Sequence, residues 1–277
     1  QRRRHGVAAQ DRAESRAMTE SNPRLAHAKA LYLEGIRDGR IHDALEAHVG
    51  DRYLQHSTGV RNGKEGFIEF FEAFVARNPK REIDIVRAFD DGRYVFVHAY
   101  QSLNDGAAKW VTMDMFDTDA EGRAIEHWDC IVPFKGPTPS GHTQVDGATE
   151  ITDLDRTADS EALVRAMLAD LLMEGGDVTK APDYVAENYI QHNVEVADGL
   201  ASFQERLAAP DRKLFYDEIV LCIAKGNFVA TFSKARWGDQ PYAQMDLFRL
   251  EGGKIVEHWD AAEPVPAPED VVNEGKF

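Results

Sequence analysis

Three short motifs occur twice in this sequence, in the same order each time. YLQH (53–56) returns as YIQH (189–192), MDMF (113–116) as MDLF (245–248), and EHWD (126–129) unchanged at 257–260. Three motifs that recur in register indicate that one structural unit is present twice. We therefore predict two copies of one fold, over residues 24–134 and 157–266.

Three segments lie outside the two predicted copies. Residues 1–23 form a basic N-terminal arm without the apolar core of a signal peptide, and we expect it to be disordered. Residues 135–156 are rich in Gly, Pro, Thr and Asp, which is typical of a linker. Residues 267–277 are predicted to be a C-terminal tail.

Charge and composition exclude several classes of partner. The net charge is −16, which argues against nucleic acid and anionic membranes as main partners, because both require basic patches. No apolar run approaches the roughly 18 residues of a transmembrane helix. Two cysteines are too few for a disulfide framework. These features predict a cytoplasmic protein that acts on a small molecule.

Each copy is predicted to begin with helices and continue with strands. Apolar residues at helical spacing predict helices over 25–49 and 64–77 in the first copy, and near 160–173, 178–187 and 199–208 in the second. Alternating runs predict four strands per copy: 81–90, 93–103, 108–118 and 123–133, then 212–222, 226–237, 241–250 and 254–262. Helices followed by an antiparallel meander predict an α+β fold.

Ionisable residues alternate with apolar ones along the predicted strands. His127 and Asp129 share one face of the last strand of the first copy. A carboxylate among apolar side chains costs free energy unless it is paired or its pKa rises, and an Asp with a raised pKa is a usable general base. Asp129 is therefore either a catalytic base or a structural partner of nearby amides. Asp114 is either catalytic or a group that holds His127.

Several other side chains are candidates for a pocket. His56 follows Tyr53 in the first repeated motif, and it either lines the pocket or is a structural histidine. His98 has no counterpart, because Phe232 stands at its place in the second copy. The predicted pocket residues are Tyr53, Phe96, His98, Tyr100, Trp110, His192 and Asp246. The predicted catalytic residues are His56, Asp114, His127, Asp129, His258 and Asp260.

The motifs resemble those of the SnoaL-like family, the polyketide-cyclase-like members of the nuclear transport factor 2-like superfamily. The resemblance rests on the repeated motifs, on GKEGFIEFF (63–71) and on YVFVH (94–98). It implies a cone-shaped α+β barrel around an apolar pocket in each copy, and dimers formed through the sheets. We therefore expect the copies to form an intramolecular pseudo-dimer, and two chains could also associate as a homodimer.

The resemblance also implies a chemistry. Catalytic relatives use a pocket Asp for acid–base chemistry on an enolate, with no cofactor and no metal, and that Asp corresponds to Asp129 and Asp260. We expect Asp129 to remove a proton next to a carbonyl while His127, His56 or Tyr53 donates a hydrogen bond to the enolate oxygen. Cyclisation, aldol condensation or isomerisation would follow.

Three alternatives stay open at this stage. The same pocket could bind a small apolar metabolite without catalysis. His56, His98 and His127 could converge with Asp114 or Asp129 on a zinc or iron ion, although no short-spaced metal motif is present. The second copy could also be an inactive scaffold.

Overall fold

The computed structural model describes residues 22–277, so nearly all of the predicted N-terminal arm lies outside the described residues. The described chain is a mixed α+β structure with two five-stranded sheets. The first half contains α1 (Pro23–Ala30), a π-helical turn (Leu31–Arg37), α2 (Ile41–His48), β1 (Val49–Gln55), α3 (Gly63–Arg77), β2 (Arg81–Asp90), β3 (Tyr94–Leu103), β4 (Ala108–Thr118) and β5 (Ala124–Pro133).

The second half repeats this order of elements. It contains a short 3₁₀ turn (Leu154–Arg156), α4 (Thr157–Met167), a π-helical turn (Leu168–Leu172), a second 3₁₀ turn (Val178–Lys180), α5 (Ala181–Tyr184), β6 (Val185–Gln191), α6 (Leu200–Ala208), β7 (Leu214–Lys225), β8 (Phe228–Trp237), β9 (Gln240–Glu251), β10 (Lys254–Pro264) and a last 3₁₀ turn (Pro268–Asp270). The eight predicted strands are confirmed within a few residues.

The two sheets have the same topology. Their strand orders are β1-β5-β4-β3-β2 and β6-β10-β9-β8-β7. In each sheet the first strand pairs in parallel with the last, and the other four strands form an antiparallel meander. The repeated motifs take equivalent positions, because Asp114 is the cross-strand partner of Asp129, as Asp246 is of Asp260.

One strand in each half departs from the prediction. The sequence pattern predicts helix up to residue 49 in the first half and over 178–187 in the second, whereas β1 and β6 begin at Val49 and Val185. Both strands are short, and two exposed polar residues in the middle of each interrupt the apolar pattern. Their parallel pairing with β5 and β10 determines their conformation, and such long-range pairing leaves no local signal.

Each sheet has helices on one face and the other sheet's side chains on the opposite face. On the helical side of the first sheet, α1, α2 and α3 contribute apolar side chains such as Leu25, Leu45 and Phe67 to one buried cluster. A second cluster is formed jointly by residues of both halves: Phe96, Met113, Met115, Trp128 and Cys130 with Phe228, Phe232, Met245, Leu247 and Trp259. This shared cluster is the basis for the pseudo-dimer that we propose below.

The segment between the halves is packed against both sheets. The Arg87 guanidinium of β2 donates hydrogen bonds to the carbonyl oxygens of Val145, Asp146 and Ala148 at 3.2, 2.7 and 2.7 Å. The Trp259 indole of β10 donates to the same Asp146 carbonyl at 2.9 Å. These hydrogen bonds hold the segment in one defined path between β2 of the first sheet and β10 of the second. Within residues 22–277, no helix is long and apolar enough to cross a membrane.

Candidate active site

The first half encloses a cavity of about 180 Å³ between its helices and its sheet. The walls are mainly apolar, and a small group of polar side chains lies at the sheet. The polar lining residues are Tyr32, Tyr53, Gln55, Ser57, Thr58, Gln101, Asp114, His127 and Asp129, and the aromatic ones include Phe67, Phe70, Phe71, Phe74 and Trp110. An apolar cavity with a few convergent polar groups is the usual form of a small-molecule site.

Two carboxyl groups and one imidazole meet at the sheet side of this cavity. Asp114 on β4 and Asp129 on β5 are directly opposite each other, and both are almost fully buried. One carboxyl oxygen each of Asp114 and Asp129 and one ring nitrogen of His127 lie within 4.8 Å of one another. Two like charges at opposite cross-strand positions are destabilising, so the site must neutralise at least one of them.

Hydrogen bonds determine which ring nitrogen of His127 carries a proton. The Gln55 side-chain oxygen accepts from the backbone N–H of Ser57 at 3.0 Å and lies 2.7 Å from His127 Nδ1. Because that oxygen can only accept, Nδ1 must carry a proton. His127 Nε2 lies 2.9 Å from Asp114 Oδ1. Nε2 and Asp114 therefore share one proton, as a neutral pair or as an ion pair.

The two carboxyl groups have opposite pKa shifts. Burial raises the pKa of Asp114, and the hydrogen bond to His127 offsets this only in part. Burial acts on Asp129 too, but the nearby charges of Lys276 and His127 and a hydrogen bond from Ser57 outweigh it and lower its pKa. Asp129 is therefore the carboxylate of the pair, and Asp114 is the group that retains a proton more readily.

Two tyrosines complete the polar group. Burial, followed by the charge of Asp114, raises the pKa of both Tyr32 and Tyr53, so both phenols stay protonated at neutral pH. The Tyr32 hydroxyl lies 3.1 Å from the Thr112 hydroxyl. Protonated phenols in an apolar cavity are strong hydrogen-bond donors toward a charge that develops there.

The second half has a smaller cavity of about 120 Å³ with a closely related arrangement. His258 Nδ1 faces Gln191 at 2.9 Å, and its Nε2 lies 2.9 Å from Asp246. Asp246 also accepts hydrogen bonds from the Tyr216 hydroxyl and the Gln244 amide. Asp260 accepts hydrogen bonds from the Asn193 amide at 2.8 and 3.0 Å, and burial raises its pKa.

The structure brings together some predicted residues and separates others. Tyr53, Trp110, Asp114, His127 and Asp129 line the first cavity, and Asp246, His258 and Asp260 line the second. Phe96, His98 and Tyr100 do not line the first cavity, and the prediction for them is corrected. The β3 residues paired with Thr112 and Asp114 are Ala99 and Val97, so the even-numbered residues of β3 point to the other face.

His56 and His192 also lie outside the cavities. The His56 ring stacks on Trp128 with a centroid distance of 5.0 Å, and its Nδ1 donates to the Gly275 carbonyl at 2.6 Å. His192 stacks on Trp259 in the same way, at 4.6 Å. Both histidines follow a strand whose alternation places them on the face opposite Gln55 and Gln191. The predicted catalytic role of His56 and the predicted pocket role of His192 are therefore corrected.

This placement also removes the predicted three-histidine metal site. His56 and His98 cannot converge with His127, because they lie on the other side of the sheet. In the remaining cluster, both ring nitrogens of His127 have protein partners, and the Lys276 ammonium lies 3.1 Å from Asp129 Oδ1. The Lys276 ammonium therefore already compensates the charge of Asp129.

Four residues of the site were not among the predicted ones. Gln55 belongs to the repeated YxQH motif and recurs as Gln191, so the repeat itself was a usable signal. Tyr32, Ser57 and Lys276 have no such signal, because none of them belongs to a repeated motif and each reaches the site through the tertiary fold.

Comparisons with known proteins give matches to solved structures alone. No family model matches the chain, and no curated protein matches it. A candidate ketosteroid isomerase from Kribbella flavida is 19% identical, with 43% of this chain and 91% of that chain covered and a TM-score of 0.35. IdmH, a candidate polyketide cyclase from Streptomyces antibioticus, is 16% identical, with 40% and 92% covered and a TM-score of 0.35. A LEH-like epoxide hydrolase from M. tuberculosis is 17% identical, with 39% and 85% covered and a TM-score of 0.34.

Proposed function

We propose that the first cavity is the active site of a small-molecule enzyme that carries out acid–base chemistry on an enolate. The observation that carries this proposal is the pair of facing carboxyl groups with opposite pKa shifts in an apolar cavity. Environments that push the pKa values of two titratable groups apart assign one as the base and the other as the acid.

The proposed reaction begins with a proton transfer. The Asp129 carboxylate removes a proton from the carbon next to a substrate carbonyl, and the C–H electron pair moves to form the enolate. The Tyr53 phenol donates a hydrogen bond to the enolate oxygen, where donors in a dry cavity have their greatest effect, and the proton shared by His127 and Asp114 keeps that pair neutral overall. His127 holds Asp114 in place through the hydrogen bond to Oδ1.

The enolate then has two fates that use the same residues. It attacks a second carbonyl to form a carbon–carbon bond, as in cyclisation or the addition step of an aldol condensation, and the new alkoxide takes the proton that Asp129 removed. Alternatively, Asp129 returns its proton to a different carbon, which is isomerisation. The aromatic walls and the volume of about 180 Å³ favour a compact, largely apolar carbonyl compound as the substrate.

We also propose that the chain is a tandem pair of SnoaL-like units. The equal strand orders and the equivalent Asp–Asp pairs support units over residues 24–134 and 157–266. The apolar cluster shared by the two sheets supports their arrangement as an intramolecular pseudo-dimer. The proposed mechanism requires no cofactor, and a cytoplasmic location remains a prediction.

The proposal is tested by deuterium uptake. The protein is incubated in heavy water with a panel of cyclic ketones, dienones and β-diketones, and α-proton exchange is followed by mass spectrometry. We expect exchange with at least one compound, and we expect Asp129→Asn to slow it by about 10²–10⁴-fold, because it removes the general base. Asp260→Asn is the matched control in the second half. Equal exchange by the wild type and the Asp129→Asn protein would refute the role of Asp129.

The hydrogen bond to the enolate oxygen gives a second prediction. Tyr53→Phe removes one donor and keeps the ring, so we expect exchange to slow by about 10–100-fold with unchanged circular dichroism. Tyr189→Phe, its counterpart in the second half, should leave the rate unchanged. A rate in Tyr53→Phe equal to the wild-type rate would show that this phenol does not contact the enolate.

The alternative function is binding of an apolar metabolite without catalysis. It is favoured by the state of His127, whose two ring nitrogens are both engaged by protein groups, as in a structural network. Titration calorimetry with the same panel distinguishes the two functions. Saturable binding with no α-proton exchange in any bound compound would favour the binding module.

A further inference from the structure

The residues after β10 form a strap against the loop that follows β1 in the first half. Asn273 donates hydrogen bonds to the carbonyl oxygens of Ser57 and Val60, at 2.7 and 2.8 Å. The Gly275 carbonyl accepts from His56 Nδ1, and the Phe277 ring lies against Phe232 of β8, with centroids 5.3 Å apart. Contacts on both sides of residue 276 therefore hold its position.

Lys276 belongs to this strap, and its side chain is buried next to Asp129. It is 2% exposed, and its ammonium donates to the Asp129 carbonyl oxygen at 2.9 Å, to Asp129 Oδ1 at 3.1 Å and to the Glu263 carboxyl group. All three of its donors are thus used. Lys276 does not line the cavity, so it acts on the site only through Asp129.

The second half offers an internal comparison. The segment after β5 lies against His192 as the strap lies against His56: His192 Nδ1 donates to the Thr143 carbonyl at 2.7 Å. Thr143 therefore corresponds to Gly275, and Gln144 corresponds to Lys276. Gln144 is buried too, but it bonds to the backbone of Pro133 and Lys135. Asp260 has the Asn193 amide as its partner in place of a cation.

We propose that Lys276 is a positioning residue that holds Asp129 as a carboxylate facing the first cavity, so that the strap completes this site with a cation, whereas the corresponding segment of the second half supplies Gln144. The inference rests on the proposed function for its catalytic meaning, but the contact itself is independent of any reaction. It also explains how two similar Asp–His–Asp clusters can differ in chemistry: a cation stabilises the charged base in one, and a neutral amide holds the other.

Other titratable groups also face Asp129, and their charges contribute to the pH dependence of its carboxyl group. They are Tyr32 from the π-helical turn, Tyr53 from β1, Asp114 from β4, His127 from β5 and Glu263 from β10. Burial raises the pKa of Glu263. Burial lowers the pKa of Lys276, but the interactions with Asp129, Cys130 and Glu263 together outweigh it and raise that pKa. Lys276 is the cation that contacts Asp129 directly.

The test is the titration of the Asp129 carboxyl group by carbon NMR, with its resonance assigned by its absence in Asp129→Asn. In Lys276→Gln, which copies the residue of the second half, we expect the midpoint to rise by about 1–3 pH units, as is usual when a neighbouring opposite charge is removed. Lys225→Gln, which removes a lysine paired with Asp90, should leave the midpoint unchanged. An unchanged midpoint in Lys276→Gln would overturn the proposal.

Folding and activity supply the remaining outcomes. If Lys276→Gln does not fold but Lys276→Gln/Asp129→Asn does, the unpaired carboxylate is the cause and the proposal stands. If neither folds, Lys276 serves packing and the proposal fails. Where the wild type shows α-proton exchange, the acid limb of its pH profile should move to higher pH in Lys276→Gln. Absence of exchange in the wild type would count against the proposed function alone, because the carboxyl titration still decides the role of Lys276.

Discussion

Replacing Lys276 with Met should lower the free energy of unfolding at pH 7 by about 3–5 kcal/mol, the usual cost of leaving a buried charge without its partner. The variant keeps a similar apolar stem but loses the ammonium that serves Asp129 and Glu263. The double variant Lys276→Met/Asp129→Asn should recover part of the loss, because the uncompensated charge of Asp129 is then absent while that of the less buried Glu263 remains. Urea unfolding of the four proteins gives the coupling between the two residues.

The effect of Lys276→Met should also depend on pH. The pKa of Asp129 is lowered in the wild type, so its stabilising contribution is present above the unfolded pKa and is lost as pH falls through the folded pKa. In the variant the pKa rises above its unfolded value, so stability instead falls as pH rises from the unfolded value through the folded one. The difference between the two proteins should therefore be large at pH 7 and small at pH 3. A difference that is constant over this range would contradict the ion pair.

Gly147→Ala should cost at least about 3 kcal/mol of stability, because two effects add. Gly147 has a φ of +95°, where a residue with a side chain is strained by about 1–2 kcal/mol. An added Cβ would also lie 2.1 Å from Glu257 Oε1 and 2.9 Å from His192 Nε2. Those two atoms are hydrogen-bonded to each other at 2.9 Å in a buried site, so the methyl group must break their contact.

Gly141→Ala is the matched control for this prediction. Gly141 lies in the same inter-half segment and has a φ of +89°, but an added Cβ would meet nothing within 4 Å. It should therefore show the strain alone, and the difference between the two variants in thermal unfolding measures the clash. Equal stability of the two proteins would mean that the segment moves away from Glu257 at little cost.

Local sequence patterns predicted the eight meander strands, and they matched each motif of the first half with its counterpart in the second. Alternation along a strand and the recurrence of short motifs need no knowledge of the partner elements. The same patterns placed His127 and Asp129 on one face correctly. They could not say which face of β3 matches the Asp114 face, because that depends on the cross-strand register of β3 with β4. The error for Phe96, His98 and Tyr100 has this origin.

The sequence by itself therefore predicted that one α+β unit occurs twice, and it placed two Asp residues and a His residue in equivalent motifs of the two halves. The tertiary structure alone decided three further matters: the parallel pairing of β1 and β6, the turning of His56 and His192 away from the cavities, and the delivery of Lys276 to Asp129. Each of the three depends on contacts between residues that are distant in the chain. Such contacts are set by packing and long-range hydrogen bonds, and these leave no period in the sequence.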